Sequence, residues 1–216
     1  EVAGVVVAHG ANCGPDTPSV GTRVCALVAG GGYAEYVAAP TGQIIPLPDH
    51  LDDIHGAAIP ETLFTVYQNI VRLGRFTPDS SVLIHGGASG IGTMAIQMVR
   101  YLREAVAPAK ARTSTLLDPD LRRDNTTSPA LIVTCGTDEK SAACLKLGAT
   151  HAINYHSDIY EKRVMEITNC RGVDIILDMV AGDYVARNIA CMASGGRHVT
   201  IAVQGGASAT IDMRRV

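Results

Sequence analysis

The spacing of apolar residues changes near residue 51. Before it, apolar residues come in short runs broken by turn residues: 1–8, 23–28, 33–38 and 43–47, with a loop over 10–21 and the triplet Gly30-Gly31-Gly32 between them. Short runs with such punctuation predict the strands of a β-rich unit. After it, a short helix is expected over 52–58, ending before Pro60, and a longer one over 61–73 with Phe64, Val66, Tyr67 and Ile70 apolar. Strand patterns at 81–85, 131–135, 151–154, 173–179 and 198–203 then alternate with helical patterns over 90–105, 138–147, 158–169 and 183–192. This alternation predicts an α/β architecture, a doubly wound parallel sheet with helices on both faces. The expected division is a partial β domain over 1–58 and an α/β domain over 59–216.

One segment breaks the rhythm. Residues 106–130 contain Pro108, Pro119 and Pro129 and show little periodicity. A structureless connection of that length is unusual inside an α/β unit. It reads as a disordered surface insertion or as retained non-coding sequence.

The chemistry concentrates where the strand at 81–85 meets the helix at 90–105. His85-Gly86-Gly87-Ala88-Ser89-Gly90-Ile91-Gly92 is a glycine-rich turn, and Ile91, Met94, Ala95, Met98, Val99 and Leu102 follow it at helical spacing. Strand, turn and helix in this order are suited to a dinucleotide pyrophosphate. Glycines let the backbone approach, and the helix N-terminus offers N–H groups and a favourable dipole. Gly87 and Gly92 match the outer glycines of Gly-x-Gly-x-x-Gly, whereas Ser89 stands at the middle position, which implies a shifted cofactor or a hydroxyl bonded to a phosphate oxygen. The spacing Gly86-x-x-x-Gly90-x-Gly92 also fits the short-chain dehydrogenases. Those carry the turn near the N-terminus and a Tyr-x-x-x-Lys pair after it. Here β-rich sequence precedes the turn, and Tyr155, Tyr160 and Tyr184 are followed four residues on by Ile159, Val164 and Asn188.

The next strand tip bears on which dinucleotide is held. It reads Cys135-Gly136-Thr137, with no acid to bond a ribose 2′-hydroxyl, and Lys140 follows within one helical turn. That pattern favours NADPH. The competing reading has Asp138 bonding the ribose and Lys140 merely solvated.

Charge and composition narrow the rest. A net charge of −3 gives no reason to expect nucleic acid or an anionic membrane, and no apolar run has the length of a membrane span. The six cysteines form no Cys-x-x-Cys pair and read as buried free thiols in a reducing compartment, and no metal site is expected. The chain begins at Glu1 rather than Met and reads as a fragment or processed form.

An ordered series of motifs carries a resemblance. Gly21-x-Arg23-Val24, Gly32-Tyr33-Ala34-Glu35-Tyr36, Pro60-Glu61-Thr62-x-x-Thr65 and His85–Gly92 are followed by Gly136-Thr137-Asp138-Glu139-Lys140, Leu147-Gly148-Ala149, Ile153-Asn154-Tyr155, Gly172-Val173-Asp174 and Asp178-x-Val180. Outside residues 106–130, the chain resembles the medium-chain dehydrogenases/reductases, in particular their zinc-free quinone oxidoreductase-like branch. The resemblance implies a GroES-like β domain followed by a Rossmann domain. It implies NADPH as cofactor, a quinone or other conjugated carbonyl as substrate, a cytoplasmic location and a homodimeric full-length parent. The residues it assigns to the pyrophosphate are Gly87, Ser89, Gly90, Ile91 and Gly92. Gly136, Thr137, Lys140 and Tyr155 fall to the 2′-phosphate, and Thr65 and Val203 to the nicotinamide. It names no catalytic acid. Two departures stand out: Glu1 falls where zinc-dependent relatives have the Glu of a Gly-His-Glu motif, and Ala181 replaces a glycine common after Asp-x-Val. The alternative function is a truncated NADPH-binding remnant that turns over weakly or not at all.

Overall fold

The computed structural model describes residues 1–113 and 129–215, with backbone alone over 106–113. The chain divides into two compact units, Glu1–Thr65 and Val66–Val216.

The first unit contains an antiparallel three-stranded sheet in the order β1 (Val2–Val5), β2 (Arg23–Ala26), β3 (Ile44–Pro46). Two helices follow, α1 (Asp53–Ala57), capped by the Asp52 carboxylate on the His55 N–H, and α2 (Pro60–Val66), which runs to the unit boundary. Arg23 ties the sheet to α1 through an ion pair with Asp53. The strand expected at 33–38 does not form. β-Propensity yields a strand only when a ladder is available, and these residues pair with no described strand and leave Tyr33 and Tyr36 exposed.

The second unit opens with a π-helical segment, Tyr67–Leu73, where the sequence predicts plain α-helix. The Gly74 N–H reaches back five residues to the Asn69 carbonyl. Five parallel strands follow: β4 (Val82–Ile84), β5 (Leu131–Cys135), β6 (His151–Asn154), β7 (Val173–Asp178) and β8 (Met192–Thr200). They lie side by side in the order β6-β5-β4-β7-β8. Helices α3 (Gly90–Thr113), α4 (Asp138–Leu147), α5 (Tyr160–Ile167) and α6 (Tyr184–Ala190) make the crossovers among the described residues.

Period-2 alternation sorts the core onto the two faces of the sheet. Val82, Ile84, Leu131, Val133, Ile175 and Leu177 pack on one side with Ile70, Ala95, Ile96 and Val99. Leu83, Ile132 and Ile176 pack on the other with Tyr160, Val164 and Cys191, joined by Val173 from before the register shift in β7. With both faces buried, these strands read as continuous apolar runs.

Two elements run further than the sequence predicts. Helix α3 continues past residue 105 to Thr113, so the first part of the expected insertion is helical. Residues 106–113 include three alanines, a lysine and an arginine, good helix formers that extend an existing helix despite Pro108. Residues 114–128, the remainder of that expectation apart from the two residues leading into β5, lie outside the described residues. Strand β8 starts at Met192 rather than 198, because a bulge lets Val173 pair with Met192 and Ile175 with Arg197, with Gly195 at φ 74° taking up the extra residues.

Candidate functional site

In a parallel sheet of this order, β5 and β7 leave β4 in opposite directions. The switch point therefore lies at the carboxyl ends of β4 and β7. The glycine turn occupies that place. Gly86 sits at φ 62°, in the left-handed region, and its N–H faces the Thr134 hydroxyl at 3.4 Å. The Gly87 N–H bonds the Thr134 carbonyl at 2.9 Å, pinning the turn to β5. A Cβ on Gly87 would lie 2.6 Å from Val133 Cβ, and one on Gly92 would lie 2.5 Å from the Gly87 carbonyl oxygen and overlap that of Gly86. These two glycines are required by packing within the turn and against β5.

Ser89, one of the expected pyrophosphate residues, starts helix α3. Its hydroxyl is the N-cap of α3 and accepts the Gly92 N–H at 3.0 Å, while its proton points toward Met179 Sδ at 3.8 Å. The Gly90 and Ile91 N–H groups, at the first two positions of the helix, have no intrahelical acceptor and are the donors that can meet a phosphate.

The tip of β5 gathers a second group. Thr137 caps α4, its hydroxyl accepting the Lys140 N–H at 3.3 Å. Tyr155 lies over Gly136, where a Cβ would come 2.7 Å from the Tyr155 hydroxyl. Asn154 donates to the Asp138 carboxylate at 2.8 Å, so the acid nearest the tip is already bonded by β6. Gly136, Thr137, Lys140 and Tyr155 therefore share one end of β5 and β6, with Thr137, Lys140 and Tyr155 exposed. Val203 lies exposed on the loop after β8, which is tied to the loop after β7 by Gln204 N–H to Met179 O at 3.3 Å and Gly205 N–H to Val180 O at 2.6 Å. Thr65 is the last residue of the first unit, on α2.

Behind the turn lies a buried polar chain. His85, Thr134 and Asp178 continue the rows of Leu83, Ile132 and Ile176, so the pleat sends all three to the α5/α6 face. Asn188 of α6 joins them. His85 Nε2 lies 2.8 Å from Asn188 Oδ1, the Tyr160 hydroxyl donates to the same oxygen at 2.8 Å, and Asn188 Nδ2 donates to Asp178 Oδ2 at 3.0 Å. Flipping the amide would set its oxygen against the Asp178 carboxylate, so the orientation is fixed and His85 carries its proton on Nε2. The Thr134 hydroxyl then donates to His85 Nδ1 at 3.0 Å. Asp178 also accepts from His198 Nε2 at 2.8 Å and, on its other oxygen, from the N–H groups of Val180 at 2.7 Å and Ala181 at 3.1 Å.

The chain is electrostatically polarised. Burial pulls the His85 imidazole down to about 4, against the opposing Asn188 hydrogen bond and Asp178 charge. Burial alone would raise the Asp178 carboxyl, but the His198, Ala181 and Val180 hydrogen bonds hold it below its ordinary value. Arg187 closes the cluster, stacking 4.2 Å over the Tyr160 ring and pairing with Glu161 at 2.8 Å. Of this network, His85 and Asp178 appear in the motifs that carry the resemblance, but neither is among the expected site residues, and Asn188 enters only as the residue that is not a lysine. The available signal is the pair of ionisable residues ending two largely apolar strands.

Such a sheet, with its glycine turn and capped helix at the switch point, defines a Rossmann-type α/β domain. A family model described as "Zinc-binding dehydrogenase" matches residues 130–216. The human quinone oxidoreductase is 28% identical over 206 residues, covering 95% of this chain and 54% of that protein. The Escherichia coli quinone oxidoreductase, solved in complex with NADPH, superposes with a TM-score of 0.74 at 26% identity over 98% of this chain and 57% of that one. A 2-haloacrylate reductase superposes with a TM-score of 0.75 at 26% identity, covering 98% and 58%. By these matches the chain is similar to the quinone oxidoreductases of the medium-chain dehydrogenase/reductase superfamily. The chain spans about half the length of those quinone oxidoreductases. Among the described residues no three His, Cys, Asp or Glu side chains gather closely enough to hold a metal ion. No described helix is long and apolar enough to cross a membrane.

Proposed function

We propose that this chain carries the cofactor-binding part of an NADPH-dependent, zinc-free reductase that transfers a hydride to a quinone or another conjugated carbonyl. The observation that carries this reading is the glycine turn at the switch point, with the Gly90 and Ile91 N–H groups at the start of α3. Its relatives support the chemistry: quinone oxidoreductases and a haloacrylate reductase all act on conjugated acceptors.

NADPH, when bound, supplies the hydride. The residues of this chain hold and orient it. Gly90 and Ile91 donate to the pyrophosphate. The Thr137 hydroxyl and the Lys140 ammonium meet the 2′-phosphate, with Tyr155 flanking it above Gly136. The preference for NADPH over NADH rests on the Lys140 charge and the Thr137 hydroxyl beside an acid-free strand tip. Val203 borders the nicotinamide. No side chain here is assigned as general acid, and water delivers the proton.

The test is a titration of the chain with NADPH and NADH by cofactor fluorescence, followed by NADPH oxidation with a small quinone. NADPH should bind more tightly than NADH. Lys140→Ala should weaken NADPH alone, by about three- to tenfold for one exposed charge contact. Equal binding of both cofactors, unmoved by Lys140→Ala, overturns the NADPH assignment. Tight binding with no quinone turnover favours the remnant reading instead.

A further inference from the structure

The rim of the crevice is made of three loops on three different strands: the turn after β4, the loop 179–183 after β7 and the loop 201–206 after β8. Each is joined to one buried chain of hydrogen bonds. Thr134 and His85 hold the first; the Asp178 carboxylate holds the second through Val180 and Ala181; and the second holds the third through the carbonyls of Met179 and Val180. Ala181 is fixed this way at φ 56°, a conformation that side chains disfavour. The two halves of the chain meet at a single side chain. Asn188 presents an acceptor to His85 and Tyr160 and a donor to Asp178, and it is wholly buried. Neither a carboxylate nor an aliphatic side chain of that size offers both at neutral pH.

We propose that Asn188 is a positioning residue for the dinucleotide: it holds the pyrophosphate turn and the loops after β7 and β8 in one register, and so sets cofactor affinity without touching the cofactor. This rests on reading the crevice as an NADPH site. The network has two ends, one on the backbone that meets the pyrophosphate and one on the loop that carries Val203. Loss of the junction leaves the two ends coupled only by the β4–β7 ladder and the Ser89–Met179 contact, and a phosphate cradle that shifts against the nicotinamide loop binds each half of the ligand at the expense of the other.

The experiment combines NADPH titration with amide hydrogen exchange on the whole chain. In Asn188→Leu the NADPH dissociation constant should rise at least about tenfold. Exchange should quicken together at 86–92, 180–182 and 204–206, while β4 and β5 stay slow. Asn188→Asp supplies a readout that mere loss of packing would not move. At neutral pH its carboxylate faces that of Asp178, and affinity is low. On acidification from about pH 7.5 to 5.5 the pair takes up a shared proton and affinity recovers, a trend absent from the wild type. The other ionisable groups around this point, His85 on β4, His198 on β8, Tyr160 and Glu161 on α5, and Tyr184 and Arg187 on α6, are common to both proteins and are referenced by the wild-type profile. If Asn188→Leu fails to fold, Thr134→Val removes the turn end alone and should quicken exchange at 86–92 but not at 180–182. The proposal is overturned if exchange quickens only within α6, or if Asn188→Asp follows the wild-type pH profile. A wild type that shows loop coupling by exchange but binds no NADPH overturns the cofactor reading, and the affinity role with it, while leaving the coupling measured.

Discussion

Replacing Gly92 by alanine tests the turn directly. The added Cβ would overlap the Gly86 carbonyl oxygen and stand 2.5 Å from that of Gly87, where a comfortable carbon–oxygen contact is about 3.3 Å. Both carbonyls must retreat by nearly an ångström. Both belong to the turn, so the turn opens away from α3. That movement strains the Ser89 N–H bond to Gly86 O at 2.9 Å and the Gly92 N–H bond to the Ser89 hydroxyl at 3.0 Å. Overpacking of this kind costs about 1–3 kcal/mol and loss of the cap about 1 kcal/mol, offset by about 1 kcal/mol of alanine helix propensity. The net is a destabilisation of about 1–3 kcal/mol, which for a chain of this size lowers Tm by roughly 3–10 °C. Cofactor affinity should fall further than stability, because the displaced Gly90 and Ile91 N–H groups each lose a charge-assisted bond worth about 1.5–3 kcal/mol. A hundredfold or greater loss of NADPH affinity is expected. Thermal melts and fluorescence titration measure the two effects. Gly10→Ala is the control, since its Cβ would meet nothing within 4 Å. A Gly92→Ala protein with wild-type Tm and wild-type NADPH binding would refute the assignment of this turn as a close-packed phosphate cradle.

Two further outcomes follow from the buried groups. His85 is held at about 4 against an ordinary imidazole value of 6.5, so between those values the unfolded chain takes up a proton that the folded chain refuses. Its contribution is complete above about pH 6.5 and is lost as the pH falls through that window; urea melts should show about 2 kcal/mol less stability at pH 5 than at pH 7 from this group, and His85→Gln should flatten the slope. The second outcome concerns the thiols. Cys170 is exposed, whereas Cys135, Cys144 and Cys191 are buried and burial pushes the Cys144 and Cys191 thiols up to about 12. A thiol reagent followed by peptide mass spectrometry should label Cys170 quickly under native conditions and those three only in denaturant; rapid native labelling of Cys144 contradicts the packing of α4 on β5.

Much of the second unit is legible in the chain. Strands β5 and β6 and helix α4 fall where periodicity places them, because each is bounded by its own local signals: an apolar run broken only by Thr134, the Thr137 cap, the Gly148 C-cap at φ 115°. The first unit is less legible. Residues 33–38 have strand character without a ladder, and strand formation is a property of pairs rather than of segments. The start of β8 is hidden for a related reason, since Met192 becomes a strand residue only through its register with Val173.

What the sequence determined by itself is the order of the α/β elements and the glycine turn with its helix. Both depend on interactions within a few residues, where apolar spacing and capping leave little choice. The tertiary structure alone decided which polar groups those elements bring together. The Ser89 hydroxyl caps α3, Asn154 bonds one oxygen of Asp138, and His85, Thr134, Asn188 and Asp178 join into one buried chain. Those contacts link residues as far apart as His85 and Asn188. Whether a buried polar group has a partner depends on what the sheet order and the pleat set beside it, and neither is encoded in any single segment of the chain.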